Sequence, residues 1–159
     1  MIMALAEGIK GELDGYTIYE EAAARSDGEV REFFLERAAE EKLHYNWLSE
    51  HYRRLTADEP MEDYELGKIP EETSPVISAE FLERIGKDRY LSAAIATSVL
   101  MEIGAIEHYR KSAENCSDPD LAELFLTLAK WETLHYEILL KIQEDSRELW
   151  FAAQGFEPF

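Results

Sequence analysis

Cysteine is almost missing from this chain of 159 residues: Cys116 is the only one. A lone thiol excludes an internal disulfide framework and any four-cysteine iron or zinc module. Proline and glycine are sparse, at five and eight residues. That is too few for a disordered or collagen-like chain when 46% of residues are hydrophobic. Positive charge is outnumbered, with 16 lysines and arginines against 34 aspartates and glutamates. The resulting charge of −18 argues against a nucleic-acid partner, because a phosphate backbone is repelled rather than neutralised. Long apolar runs are missing too. The longest uncharged stretch, YLSAAIATSVLM at 90–101, has 12 residues, short of the roughly 20 that span a bilayer. The N-terminal MIMALAEGIKGELDG meets Glu7 and Glu12 too early for a signal peptide. A single soluble, cytoplasmic domain over 1–159, with no membrane partner, is the expectation.

What the chain does have is helical periodicity. Apolar positions recur at helical spacing from about Leu5 to Arg25. SDGE at 26–29 reads as a break with a capping-box restart, Ser26 paired with Glu29. A second helix then runs to about Leu55. Pro60, Pro70 and Pro75 forbid one continuous helix through 56–88, although SAEFLERIG allows a short one after Ser78. A third long helix covers about Arg89 to Glu114. In NCSDPD, Asp118 is placed to cap a fourth, with Pro119 at its first position, running to about Leu149. No stretch alternates with period two, so the fold class expected is all-α.

The four long helices are two copies of one hairpin. REFFLERAAEEKLHY at 31–45 aligns with AELFLTLAKWETLHY at 122–136, pairing Phe34 with Phe125, Ala38 with Ala129, Glu41 with Glu132 and His44 with His135. One helix earlier, Glu12 and Tyr19 are spaced as Glu102 and Tyr109 are. Short turns make each hairpin (5–55 and 89–149) antiparallel. The connection over 56–88 is long enough to cross the whole bundle. The pattern is that of a four-helix bundle, two antiparallel hairpins joined by one long crossover.

The repeated phrase carries chemistry. Glu and His three apart on a helix lie about 60° apart around its axis and project together. With Glu12 and Glu102, the two hairpins supply four carboxylates and two imidazoles. Four carboxylates in a core are costly unless compensated, and two divalent cations balance them in number. Oxygen-rich ligation with one imidazole per ion suits iron or manganese better than a metal that prefers soft ligands. One Glu-x-x-His motif means little in so acidic a chain; two, each with a lone Glu one helix earlier inside a repeat, mean much more. The competing reading is a duplicated bundle whose glutamates face water.

The pattern Glu12…Tyr19…Glu41-Lys42-Leu43-His44, then Glu102…Tyr109…Glu132-Thr133-Leu134-His135, resembles the ferritin-like superfamily, and the rubrerythrin family most. The resemblance covers roughly 5–55 and 89–145. It implies a ferritin-like bundle with two iron ions, manganese or zinc being substitutes, held by Glu12, Glu41, His44, Glu102, Glu132 and His135. It further implies that Tyr19 and Tyr109 donate to ligand carboxylates, and that the centre reacts with hydrogen peroxide or dioxygen. Two departures stand out. The rubredoxin-like domain of full-length rubrerythrins is absent, so electrons would come from a separate donor such as a rubredoxin-like protein. The extra glutamate those proteins carry three residues after the third-helix ligand is Ala105 here, with Gly15 as its counterpart in the first hairpin. A homodimer is expected, with the aromatic tail 150–159 packing on the second subunit or, as the alternative, on its own bundle. The alternative function is iron binding and oxidation for storage, or a metal-stabilised module without catalysis.

Other residues carry weaker signals. His51 reads as packed or exposed, and His108, about 120° around the helix from Glu102, as facing away from the centre. Tyr45 and Tyr136 read as packing residues, Glu40 and Glu137 as solvated, and Cys116 as an exposed turn residue.

Overall fold

The computed structural model of the protein describes residues 1–57, 59 and 77–154, with side chains through residue 152. It consists of five helices, with no strand among the described residues: α1 (Ile2–Ala24), α2 (Gly28–Ala57), α3 (Ala79–Lys87), α4 (Arg89–Glu114) and α5 (Pro119–Gln154). The pairs α1/α2 and α4/α5 form the two hairpins, and α1 also packs on α4. The short helix α3 ends the crossover and lies against α5 and α4. The three prolines expected to break the crossover lie outside the described residues, as do Phe156 and Phe159 of the tail.

The starts of the helices follow from side chains. Asp118 Oδ1 accepts from the Asp120 and Leu121 amides at 3.0 and 3.2 Å, so Pro119 opens α5 as expected. Asp88 caps α4 through the Tyr90 and Leu91 amides, and Ser78 caps α3 through Phe81. The expected Ser26/Glu29 capping box does not form. Ser26 Oγ instead donates back to the Ala22 and Ala23 carbonyls, closing α1, while Glu29 accepts from Ser78 across the bundle. The physical reason is Gly28, whose φ of +54° turns the chain at the first residue of α2 and leaves the serine with the preceding helix.

Two apolar clusters fill the bundle, one containing Phe33, Phe34, Phe81, Ile95 and Leu139, the other Leu5, Leu48, Leu121, Phe125 and Trp131. Burying each such side chain contributes about 1.5–3 kcal/mol. Along every long helix the Glu and His of the repeat fall between the segments that feed these clusters, as Glu12 falls between Leu5 and Ala22. The polar layer is thus clamped from both ends by apolar packing. Helix α4 is long and apolar enough, by length and composition, to cross a bilayer, which the 12-residue run did not suggest. In this fold its buried positions, among them Leu91, Ile95, Ile106 and Tyr109, face the bundle together with Glu102.

Candidate metal centre

All six expected ligands are in one place, and none is more than 4% exposed. Helix periodicity accounts for it: Glu41 and His44 share one face of α2, Glu132 and His135 one face of α5, and Glu12 and Glu102 come from the facing helices α1 and α4. His44 Nδ1 stands 3.3 Å from Glu12 Oε2 and 2.8 Å from Glu132 Oε1. His135 Nδ1 stands 3.0 Å from Glu132 Oε2, 3.3 Å from Glu41 Oε1 and 3.9 Å from Glu102 Oε1. The donor atoms form two overlapping groups, Glu12/Glu41/His44/Glu132 and Glu41/Glu102/Glu132/His135, each with its atoms within 4.8 Å of one another. Glu41 and Glu132 belong to both.

Phenols hold the outer carboxylates crosswise. Tyr19 of α1 donates to Glu102 Oε1 of α4 at 2.7 Å, and Tyr109 of α4 donates to Glu12 Oε1 of α1. Both tyrosines were expected in that role. Two glycines make room for the arrangement. A Cβ on Gly8 would come within 3.1 Å of the Tyr109 ring, and one on Gly15 within 3.1 Å of Glu41 Oε2. Gly15 is therefore a seat for the Glu41 carboxylate. Gly15→Ala gains up to about 1 kcal/mol of helix propensity but pushes Glu41 from its position. The expected outcome is a metal-free protein at least as stable as the parent with weaker metal binding, read by calorimetry and thermal melts; unchanged metal affinity contradicts the seating role.

The electrostatics describe a cluster held together by protons. Burial raises the pKa values of Glu12 and Glu102 well above the usual carboxylate range, and the neighbouring Glu132 and Glu41 add to it. Burial also opposes charge on His44 and His135, but Glu132 and the other facing carboxylates outweigh it and hold both imidazoles well above their usual range. Glu132 is lowered: burial disfavours its charge, but the two imidazoles overcome that. Even so, both oxygens of Glu132, Glu41 Oε1 and His135 Nδ1 lack a properly aligned hydrogen-bond partner. Buried polar atoms without partners are rare in native cores. Four carboxylates and two imidazole nitrogens converging on orphaned oxygens fit two divalent cations, which supply the missing contacts.

The rubrerythrin family model matches residues 4–143, nearly the whole described bundle. The chain belongs to the rubrerythrin family. Neither curated proteins nor solved structures include a significant match. Rubrerythrins typically bind iron, and among the described residues of this rubrerythrin-family chain the buried Glu and His groups could hold a metal ion.

Beside the centre, between α1 and α4, lies a cavity of about 260 Å³ that opens to the surface. Glu12, Glu41 and Glu102 line its inner end, and Gly11, Gly104 and Ala105 line its walls. A Cβ added at Gly11 or Gly104 would meet nothing within 4 Å. His108, expected to face away, joins no ligand group but lines this cavity, with its Nε2 2.9 Å from the Ala4 carbonyl. His51 is buried and packed, its Nδ1 bonded to the Trp47 carbonyl. Tyr45 lies under Lys42, and Tyr136 packs on the core.

Glu40 corrects the sequence reading. Expected on a solvated face, it is only 23% exposed and its Oε2 lies 3.0 Å from His135 Nε2. Burial disfavours its charge, but the His135 bond and the Arg37 guanidinium outweigh that and lower its pKa. Sequence offered one weak signal, Arg37 one turn before it, since its partner lies 95 positions away.

Proposed function

We propose that the protein is a di-iron oxidoreductase that reduces hydrogen peroxide or dioxygen with electrons from a separate donor, such as a rubredoxin-like protein. The observation that carries this reading is the cavity between α1 and α4, which gives a small molecule a path from solvent to the inner faces of Glu12, Glu41 and Glu102. A buried centre with only a structural task has no need of such an opening. Iron held by these six residues would supply the two electrons that reduce one peroxide to two waters, with two protons taken up. The chain's own residues position and shield. Tyr19 and Tyr109 restrain Glu102 and Glu12, and the apolar clusters close the ligand layer at either end of the bundle, leaving the cavity as its approach. The carboxylates and imidazoles that hold protons in the metal-free protein release them when cations bind. Manganese or zinc would fit the same ligands, and a cytoplasmic homodimer is part of the proposal.

The test is anaerobic mixing of the ferrous-loaded protein with peroxide or with dioxygen, followed by optical absorption. Oxidation of two irons per peroxide, faster than for ferrous ion in buffer, is expected. In the double variant Gly11→Leu/Gly104→Leu the added side chains stand on the cavity wall at positions where a Cβ meets no neighbour, so metal content should persist while the oxidation rate falls severalfold. Full metal content with oxidation no faster than in buffer defeats the reading.

A further inference from the structure

The two halves of the centre repeat in their ligands but not in what stands behind them. In the second half, His135 donates its Nε2 hydrogen to Glu40 Oε2 at 3.0 Å, and Arg37 Nη2 holds that same oxygen at 2.8 Å. In the first half, the repeat places Trp131 where Glu40 should be and Leu128 where Arg37 should be. His44 Nε2 accordingly has no hydrogen-bond partner. Its ring lies edge-on to Trp131 at 4.9 Å and beside Trp47 at 5.7 Å. One imidazole is tied to a carboxylate, and the other sits in an aromatic pocket.

We infer that Glu40 makes the two metal positions unequal, so that the position beside His135 fills first and holds its ion more tightly than the position beside His44. The inference rests on the reading of the cluster as a two-metal centre, and it concerns the order of filling rather than the reaction. A carboxylate on the outer nitrogen fixes the tautomer with hydrogen on Nε2. The Nδ1 lone pair is then aimed at the side where Glu132 and Glu41 converge. The same contact increases the electron density that Nδ1 offers a cation, and outer contacts of this kind are worth about 10–100-fold in metal affinity. Arg37 keeps the Glu40 carboxylate from rotating away. His44 has no hydrogen-bond acceptor at its outer nitrogen, so no outer contact selects the tautomer that leaves Nδ1 free for a cation or adds to its electron density. Glu40 is thus a positioning residue, acting through His135.

The experiment is titration of the metal-free, full-length protein with cobalt(II) under argon, followed by calorimetry and cobalt's visible absorption. The wild-type protein should show two steps separated by about 10–100-fold. His44→Ala should keep the tighter step and lose the weaker one, and His135→Ala should do the reverse. Glu40→Gln keeps the acceptor without the charge and should narrow the separation; Glu40→Ala should abolish it. Trp131→Phe, which leaves an aromatic ring beside His44, should leave two steps. Melting curves of the metal-free variants separate lost affinity from lost folding. Equal affinities in the wild type, a separation that survives both Glu40 variants, or loss of the tight step in His44→Ala overturns the inference. Two unequal ions in a protein that peroxide does not oxidise defeat the proposed activity and leave this inference standing. No cobalt bound at all removes both.

Discussion

Stripping divalent metal from this protein should lower its melting temperature by roughly 10–20 °C at pH 7. An ion present at 100 times its dissociation constant stabilises the folded state by about 2.7 kcal/mol, so two contribute about 5. For a domain of this size each kcal/mol moves the midpoint by about 2–4 °C. The direction also follows from what remains when the metal leaves: four buried carboxylates, with Glu12 and Glu102 driven toward their protonated forms. Glu12→Gln relieves that crowding and removes one ligand, so it should raise the metal-free midpoint, lower the loaded one and narrow the gap. Superimposable melting curves with and without a strong chelator contradict the two-metal reading.

The gap should also depend on pH, with a definite sign. Glu12, Glu102, His44 and His135 all have folded pKa values raised above their unfolded ones. Such groups contribute stability at low pH, and it is lost as pH rises through the folded values. The loss starts above about 4.3 for the glutamates and about 6.5 for the histidines. Glu132 and Glu40 are lowered and act oppositely, but their contribution is lost only in acid, below about pH 4.3. Between pH 5 and 8 the metal-free protein should therefore melt at progressively lower temperature. Cation binding displaces the same protons, so affinity rises with pH and the loaded protein moves the other way. A gap that shrinks toward pH 8 is incompatible with protons standing in for the cations.

The candidate ligand cluster was legible in the sequence because its signal is local and doubled. Glu41 and His44 fall on one helical face whatever the rest of the chain does, and the second hairpin repeats them at Glu132 and His135. Glu12 and Glu102 needed only the further step that the hairpins face each other. The family match over 4–143 agrees with the bundle that this repeat implied. What was not legible depends on contacts between hairpins or on backbone conformation. Glu40 reads as a surface acid because its partner His135 comes from α5. Ser26 matches a capping pattern by spacing, yet the positive φ of Gly28 assigns it to the preceding helix. Gly15 and Ala105 are small residues at equivalent repeat positions and both line the cavity, but only Gly15 also seats a carboxylate. Composition cannot separate those two uses of a small residue.

Glu132→Ala should cost the protein both metals, whereas Glu12→Ala should cost it one. The two oxygens of Glu132 address different halves, Oε1 standing 2.8 Å from His44 Nδ1 and Oε2 3.0 Å from His135 Nδ1. Glu12 reaches only the half that contains His44. Even an outer-shell change typically costs about 10–100-fold in metal affinity, so losing a shared ligand should drop both ions below detection at micromolar metal. The two substitutions should also diverge without metal. Removing Glu12 relieves repulsion among carboxylates. Removing Glu132 takes away the anion that lies between two buried imidazoles whose rings are 5.8 Å apart. Breaking a buried pair in that way costs about 3–5 kcal/mol. Metal-free Glu132→Ala should therefore melt well below the parent, and metal-free Glu12→Ala at or above it. Elemental analysis after gel filtration gives the metal count, and circular dichroism gives the melts. If Glu132→Ala retains one tightly bound ion, Glu132 serves a single metal and the two halves share no ligand through it.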